Sequence, residues 1–286
     1  MIEAEAQFES LTPFATARAR FSLSQPPAPE LTIVLATLNE HVSLPVLVDR
    51  LLHAPLPPLE IVVVDDGSRD GTREYLSSIA QEDRRVRPIF HEGAQTLLKA
   101  HAQGIAAARG DLVVVMDADL QHNPADVPRI VDLLLHGNDL VVASRYAPGG
   151  SPGERSALRS CISLGAETLA RVLLPEARSV SDPLSGFYGF RRGYYRAINP
   201  DYRGYELLPF VLGMMRGRPV TEVPYVFESR RAGKSKIVTR DLSFIRVFLT
   251  ELVLAARVAR TGGNESPGSQ APSSAVPPGI RGRVEP

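Results

Sequence analysis

Three short apolar runs punctuate the first half of the chain, at residues 31–36, 61–64 and 112–116, and each stops abruptly at polar or acidic residues. Runs this short, rich in β-branched side chains and without polar alternation, predict strands buried on both faces, as in parallel sheets. Residues 86–90 and 139–144 read as two further strands. Helical spacing fills the gaps, at about 43–53, 74–82 and 96–109, and again after Asn123-Pro124, a cap followed by a first-turn proline. Strands and helices alternating at this spacing predict an α/β fold, a single doubly wound domain with a mostly parallel sheet flanked by helices.

The second half is less regular. It predicts a helix over about 154–174, a polar turn from Asp182 into a strand at 187–190, a helix over 206–216 and an extended segment at 219–227. A basic loop, 230–236, leads into helical periodicity over 237–260. At about 100° per residue, Phe244, Ile245, Phe248, Leu249, Leu252, Ala255 and Ala256 share one side, opposite Arg240, Arg246, Thr250, Arg257 and Arg260. Asp241 is the one polar residue expected on the apolar side. That helix packs on the core or lies at a membrane surface, because six charges in its 24 residues forbid spanning. Residues 1–30, ending in a proline-rich linker, and the Gly/Pro/Ser-rich 261–286 are expected to be disordered. This leaves a catalytic domain at 31–236 and an amphipathic helix at 237–260.

Composition adds exclusions. Basic and acidic residues balance at 32 each, so no global field points to nucleic acid. One cysteine, Cys161, excludes an intrachain disulfide framework and suits a reducing compartment. Glu3, Glu5 and Glu9 without an apolar core predict no secretory signal, and no apolar run approaches a span, so a cytoplasmic, soluble or peripheral protein is expected.

The candidate chemistry gathers at strand ends. Asp117 and Asp119, with Gln121, follow the central strand; Thr37, Asn39 and Glu40 follow the first; Asp65 and Asp66 the second; and Arg145 the fifth. In a doubly wound sheet these tips converge on one crevice. Two carboxylates and an amide oxygen are hard ligands, suited to Mg²⁺ or Mn²⁺ on a diphosphate. Glu40 and Asp66 could accept hydrogen bonds from a nucleobase, while the 65–72 segment reads equally as a capped turn into a helix. Neither a G-x-G-x-x-G nor a P-loop occurs, so a metal must do the phosphate work.

Five segments in this order, VVVDDGSRDGT, MDADLQH, ASRYAPGG, SDPLSGF and RRAGKSK, resemble the dolichol-phosphate (polyprenyl-phosphate) mannose synthases, family-2 glycosyltransferases of GT-A fold. The resemblance covers roughly residues 31–240. It implies inverting transfer of mannose from GDP-mannose to a polyprenyl phosphate at the cytoplasmic membrane face, with Mg²⁺ or Mn²⁺ and with a membrane-anchor protein as a candidate partner. By the same resemblance Asp117, Asp119 and Gln121 are metal and diphosphate ligands, and Ala36, Leu38, Glu40, Val64, Asp66 and Ala118 line the donor. Arg145, Arg159 and Ser163 match positions that hold the acceptor phosphate, and Asp182 matches the acid opening the acceptor-side turn. Arg230 and Lys236 match the loop closing over the donor, and Asp119, Arg145 and Arg230 are the expected catalytic residues. Three features depart from the pattern. Ala36 and Leu38 replace a proline and an aromatic ring, Thr96-Leu97-Leu98 replaces a glycine-rich turn, and transmembrane helices common among relatives are absent. Another nucleotide sugar, a saccharide acceptor, or a nucleotide-sugar-binding protein without turnover therefore stand as alternatives.

Overall fold

The structure is a computed structural model and describes residues 28–93, 95–153, 157–198, 202, 204–228 and 242–261. In chain order the strands are β1 (Leu31–Thr37), β2 (Leu59–Asp65), β3 (Val86–Phe90), β4 (Leu112–Asp117), β5 (Leu140–Ser144), β6 (Tyr188–Arg191) and β7 (Val220–Pro224). The helices are α1 (Leu44–Leu52), α2 (Thr72–Glu82), α3 (Leu97–Ala106), α4 (Val127–Leu135), α5 (Ala157–Leu173), α6 (Leu208–Met214) and α7 (Leu242–Thr261).

The strands form one seven-stranded sheet in the order β3-β2-β1-β4-β6-β5-β7. The unbroken apolar runs follow from a sheet covered on both faces. Ile33, Leu35, Ile61 and Val63 pack with α1, α2 and α4 on one side, while Val34, Val113, Val115 and Val142 pack with α3, α5, α6 and α7 on the other. Each buried aliphatic side chain contributes about 1.5–3 kcal/mol, so the sheet interior is the principal source of stability. The strand order reverses between β1 and β4, and the carboxyl ends at such a reversal form the ligand crevice.

One strand runs against the others. β6 is antiparallel to both β4 and β5, pairing Val115 with Tyr188 and Val142 with the same residue. It thereby separates the β4 tip from the β5 tip by one strand width. The Asn123-Pro124 start is observed, with the Asn123 side chain accepting from the Ala125 N–H, but its first turn is a tight 3₁₀ turn, Pro124–Asp126, before α4. The helix expected over 206–216 is shorter, because Pro209 sits in its first turn and Glu206 lies outside it in a loop.

The helix expected over 237–260 is observed from Leu242, and its face needs a correction. Phe248, Leu252, Ala255, Ala256 and Ala259 are buried, Leu249 is 37% exposed, and Glu251, not foreseen as an inward residue, is fully buried. A Cβ on Gly213 of α6 would lie 3.1 Å from the Ala259 Cβ, so small residues let α6 and α7 approach closely. This face is a core contact, and Asp241 lies outside the described residues, as do the two terminal segments 1–27 and 262–286.

Candidate active site

The register places the first group. Ala36 of β1 sits between Val64 of β2 and Asp117 of β4, and Thr37 pairs with Asp65, so three strand tips end level. Beyond them two loops are laced by backbone bonds. The Asn39 N–H donates to Ser68 Oγ at 2.8 Å, Arg69 N–H to Asn39 Oδ1 at 2.8 Å, Glu40 N–H to Thr72 Oγ1 at 3.0 Å and His41 N–H to Asp70 Oδ2 at 3.1 Å. Asn39 holds φ at +53°, a left-handed conformation asparagine tolerates better than most residues. The Glu40 carbonyl accepts from Ser43 and Leu44 and starts α1, while its side chain is buried.

Within the 65–72 segment the capped-turn and ligand readings divide by residue. Asp65 is fully buried and accepts from the Ser68 N–H, and Asp70 accepts from both the N–H and hydroxyl of Thr72. These are turn roles. Asp66 is half-buried, and both its oxygens accept from the Gln95 N–H, at 2.7 and 2.8 Å. Burial raises its carboxyl above the ordinary range, and that N–H partly opposes the rise. Each oxygen keeps a lone pair for a further donor. Val64 and Ala118, expected to line the donor, are buried in the core, whereas Ala36 and Leu38 are half-buried.

At the β4 tip, Asp117 keeps a side chain 32% exposed and Asp119 is buried. The Asp117 N–H donates to His122 Nδ1 at 3.0 Å, which makes that nitrogen an acceptor and puts the imidazole proton on Nε2. Burial holds His122 down at about pKa 3, so the ring is neutral, stacked 5.1 Å from Phe187. Asp119 Oδ1 accepts from the Gln121 N–H at 3.0 Å, and the Gln121 amide donates to the Glu228 carbonyl at 3.1 Å. Between them Leu120 stands at φ +64°, a strained conformation for a branched side chain, worth about 1–3 kcal/mol and held by its burial. Gly186 faces this turn. A Cβ there would lie 3.5 Å from Asp117 Oδ2 and 3.3 Å from the His122 ring, so a side chain would fill the space beside the carboxylate.

Arg145 extends from the β5 tip into a fork with Asp182. Its Nε and Nη2 donate to the two Asp182 oxygens at 2.7 and 2.6 Å, and its own N–H reaches Asp182 at 3.0 Å. Burial disfavours the charged guanidinium, but the bonds and charge of Asp182 outweigh it and raise the pKa, so Arg145 is a permanent cation. Nη1 has no hydrogen-bond partner among the described residues. Ser163, on α5, donates to Glu167 at 3.0 Å and lies 3.3 Å from the Tyr146 hydroxyl, which brings α5 beside the β5 loop. Arg159 is on α5, one turn earlier; its side chain, Arg230 and Lys236 lie outside the described residues.

Two carboxyl groups with raised pKa values were missed from the sequence. Glu206 is pushed up to about 8, first by burial and then by Glu251, Asp117 and Asp182, with Arg145 opposing. Those neighbours show that the β4 tip, the β5 tip and the turn at Asp182 share one electrostatic neighbourhood. Glu251 of α7 is also raised to about 8 by burial, although the Tyr205 and Glu206 N–H groups at 3.0 and 2.7 Å oppose the shift. A helical-wheel count at Glu251 puts it on the buried face and could have found it. Glu206 carries no signal beyond its place before a helix.

The β4 turn fits a divalent cation. Among the described residues no group of three or more His, Cys, Asp and Glu side chains is placed to hold a metal ion. Asp117 and Asp119 with the Gln121 amide give the hard, oxygen-rich set by which Mg²⁺ or Mn²⁺ binds through one or two carboxylates, with phosphate oxygens and water completing the shell. Gly186 keeps room for it beside Asp117.

A doubly wound sheet with an acidic turn at its reversal, beside a forked arginine and an inserted antiparallel strand, defines a nucleotide-diphospho-sugar transferase domain of GT-A type. Residues 32–202 match the family described as Glycosyl transferase family 2, and the chain belongs to it. It is 35% identical over 210 residues to the dolichol-phosphate mannosyltransferase of Pyrococcus furiosus, covering 73% of this chain and 59% of that one, so it spans less than two thirds of that relative. It is 32% identical over 246 residues to the polyprenol monophosphomannose synthase of Mycolicibacterium smegmatis, covering 83% and 92%. The fold is shared with the Mycobacterium tuberculosis glucosyl-3-phosphoglycerate synthase solved with UDP, at TM-score 0.59 and 24% identity over 81% of each chain.

Proposed function

We propose that this chain transfers a hexose, mannose from GDP-mannose in the first instance, to a polyprenyl phosphate, with inversion at the anomeric carbon and with Mg²⁺ or Mn²⁺. The observation that carries the reading is the pairing, across one strand, of an acidic turn at β4 with a fixed cation at β5. The names of the relatives above point the same way. A phosphate monoester is already anionic at neutral pH, so its oxygen can attack the sugar without a dedicated base. Asp117, Asp119 and Gln121 would hold the cation, which when bound neutralises charge developing on the leaving nucleoside diphosphate. Arg145 offers its remaining Nη1 edge to a phosphate oxygen, and Arg159, Ser163, Arg230 and Lys236 would add to that cationic clamp. Glu40 and Asp66 would accept from the base. Positioning and electrostatics carry the rate in this scheme.

No helix among the described residues is long and apolar enough to cross a membrane. In this reading a polyprenyl phosphate acceptor would be met at a membrane surface, on its cytoplasmic face, with an anchor protein as a partner and no nucleic acid. The test is a panel of nucleotide sugars with undecaprenyl and dolichyl phosphate. Turnover confined to GDP-mannose supports the reading, and no turnover with it refutes the mannose assignment. A second reading, transfer to a saccharide hydroxyl, draws on Glu206, a carboxyl raised by burial and by the acidic turn, whose ionised form is a stronger base than an ordinary carboxylate. Transfer to a soluble saccharide, lost in Glu206→Gln, would favour it.

A further inference from the structure

Between α5 and β6 the chain passes through Ser181 and Asp182, and this two-residue strap is held from four directions. The Ser181 N–H, the Ser181 hydroxyl and the Asp182 N–H all donate to Glu222 Oε1 of β7, at 2.8, 2.9 and 3.3 Å. Ser144 Oγ at the end of β5 lies 2.6 Å from Ser181 Oγ, and Arg171 of α5 donates to the Ser181 carbonyl at 2.6 Å. On its far side the strap carries the fully buried Asp182 carboxylate, whose two oxygens take three donors from Arg145. Glu222 has no ion pair among the described residues; its charge is met by those three strap donors.

This arrangement leaves Arg145 little freedom. The guanidinium is planar, so fixing Nε and Nη2 fixes where the Nη1 edge points. Asp182 fixes those two nitrogens, and the position of Asp182 is set by the backbone that Glu222 grips. We propose that Glu222 is a positioning residue for glycosyl transfer, acting through Ser181 and Asp182 to aim the Arg145 guanidinium at a phosphate oxygen. The inference rests on the reading of Arg145 as a phosphate-binding cation. A carboxylate collecting three donors is a strong anchor because each bond is charge-assisted. A displacement of about 1 Å in such a group can cost about a hundredfold in rate.

The test is a mutant cycle with a structural readout beside it. Glu222→Ala should lower kcat about tenfold or more while the donor KM moves less than about threefold. Glu222→Gln keeps an acceptor oxygen and should recover to within about threefold of the parent. In an Arg145→Lys background, which cannot fork onto Asp182, adding Glu222→Ala should cost less than about twofold more. A full tenfold loss in that background overturns the inference, as does Glu222→Gln falling as far as Glu222→Ala. If Arg145→Lys alone retains the parental kcat, the reading of Arg145 fails first, and the proposal falls with it. The Arg145 Nε–H resonance in ¹⁵N-labelled protein, assigned by its absence in Arg145→Lys, needs no turnover. It should shift in Glu222→Ala and stay in Glu222→Gln, and an unmoved signal in Glu222→Ala refutes the mechanism. Should Glu222→Ala not fold, Glu222→Asp shortens the arm while keeping the charge and takes its place in both experiments.

Discussion

The two flanks of the crevice are built on different principles. On the β1–β2–β4 side, side chains bond the backbone of a neighbouring loop: Asn39 with Arg69, Ser68 with Asn39, Thr72 with Glu40, Asp70 with His41. On the β5–β7 side, acidic side chains from remote elements grip an arginine, a strap or a loop: Asp182 with Arg145, Glu222 with Ser181, Glu251 with the 205–206 loop. The first flank is a set of laced turns in which each bond is worth about 1 kcal/mol and the loss of one is shared. The second concentrates charge in buried places, where removing one partner strands the other. A donor diphosphate bound through a metal can be held by a firm turn, whereas joining two anions needs cations kept in one orientation.

The largest expected effect breaks the site on the acidic turn itself. Asp119→Ala should lower metal-dependent transfer by at least about a hundredfold in kcat, with folding retained. Unchanged turnover, measured with either Mg²⁺ or Mn²⁺, would remove Asp119 from the chemistry. The next effect addresses the other flank through stability. Asp182→Ala leaves Arg145 a largely buried, uncompensated cation and should cost about 3–5 kcal/mol in urea unfolding. A loss under about 1 kcal/mol would mean that the fork is solvated and that the contrast between the flanks is overstated.

A third effect reads the sign of the buried charge. Glu251 is raised to about 8 from 4.5, so the folded state binds its proton more tightly than the unfolded state does. That contribution is complete below about pH 4.5 and is lost as pH rises toward 8. The melting temperature should therefore fall across that window, and Glu251→Gln should flatten the fall, leaving the part due to Glu206. An identical pH slope in the variant would show that Glu251 stays ionised on its two N–H donors throughout.

Much of the first flank was legible in the sequence because its determinants are local. Apolar runs with abrupt acidic ends, the Asn123-Pro124 start and the Ser-Arg-Asp-Gly turn each act within a few residues, and the structure places their strand tips level. The reversed direction of β6 was not legible, since a four-residue strand reads the same either way and its orientation depends on the path out of α5. Glu206, Glu222 and Glu251 were passed over for a related reason. Each lies in a segment that reads as ordinary amphipathic or extended chain, and each matters through partners on other elements. The expected phosphate role of Arg145 is sharpened by Asp182: the fork leaves the Nη1 edge, not the whole guanidinium, for an anion.

The smallest effect is the one that tests whether the first flank is laced as described. Asp70 is exposed, yet three donors from Thr72 and His41 meet its carboxylate. Burial pushes its pKa upward, and those bonds outweigh that push and lower it below 3.8. A depressed carboxyl stabilises the fold above its unfolded pKa and loses that contribution as pH falls through the folded value, the opposite sign to Glu251. Asp70→Ala should therefore cost about 1 kcal/mol at neutral pH, the size of a lost helix cap, and its deficit should shrink in acid. Because Glu40 and Asp66 flank the same loops, the variant should also raise the donor KM by about two- to fivefold with kcat little changed. An equal deficit at acid and neutral pH would show that the carboxylate charge is idle there. The lacing would then rest on Asn39, Ser68 and Thr72 alone, three neutral side chains whose bonds do not titrate.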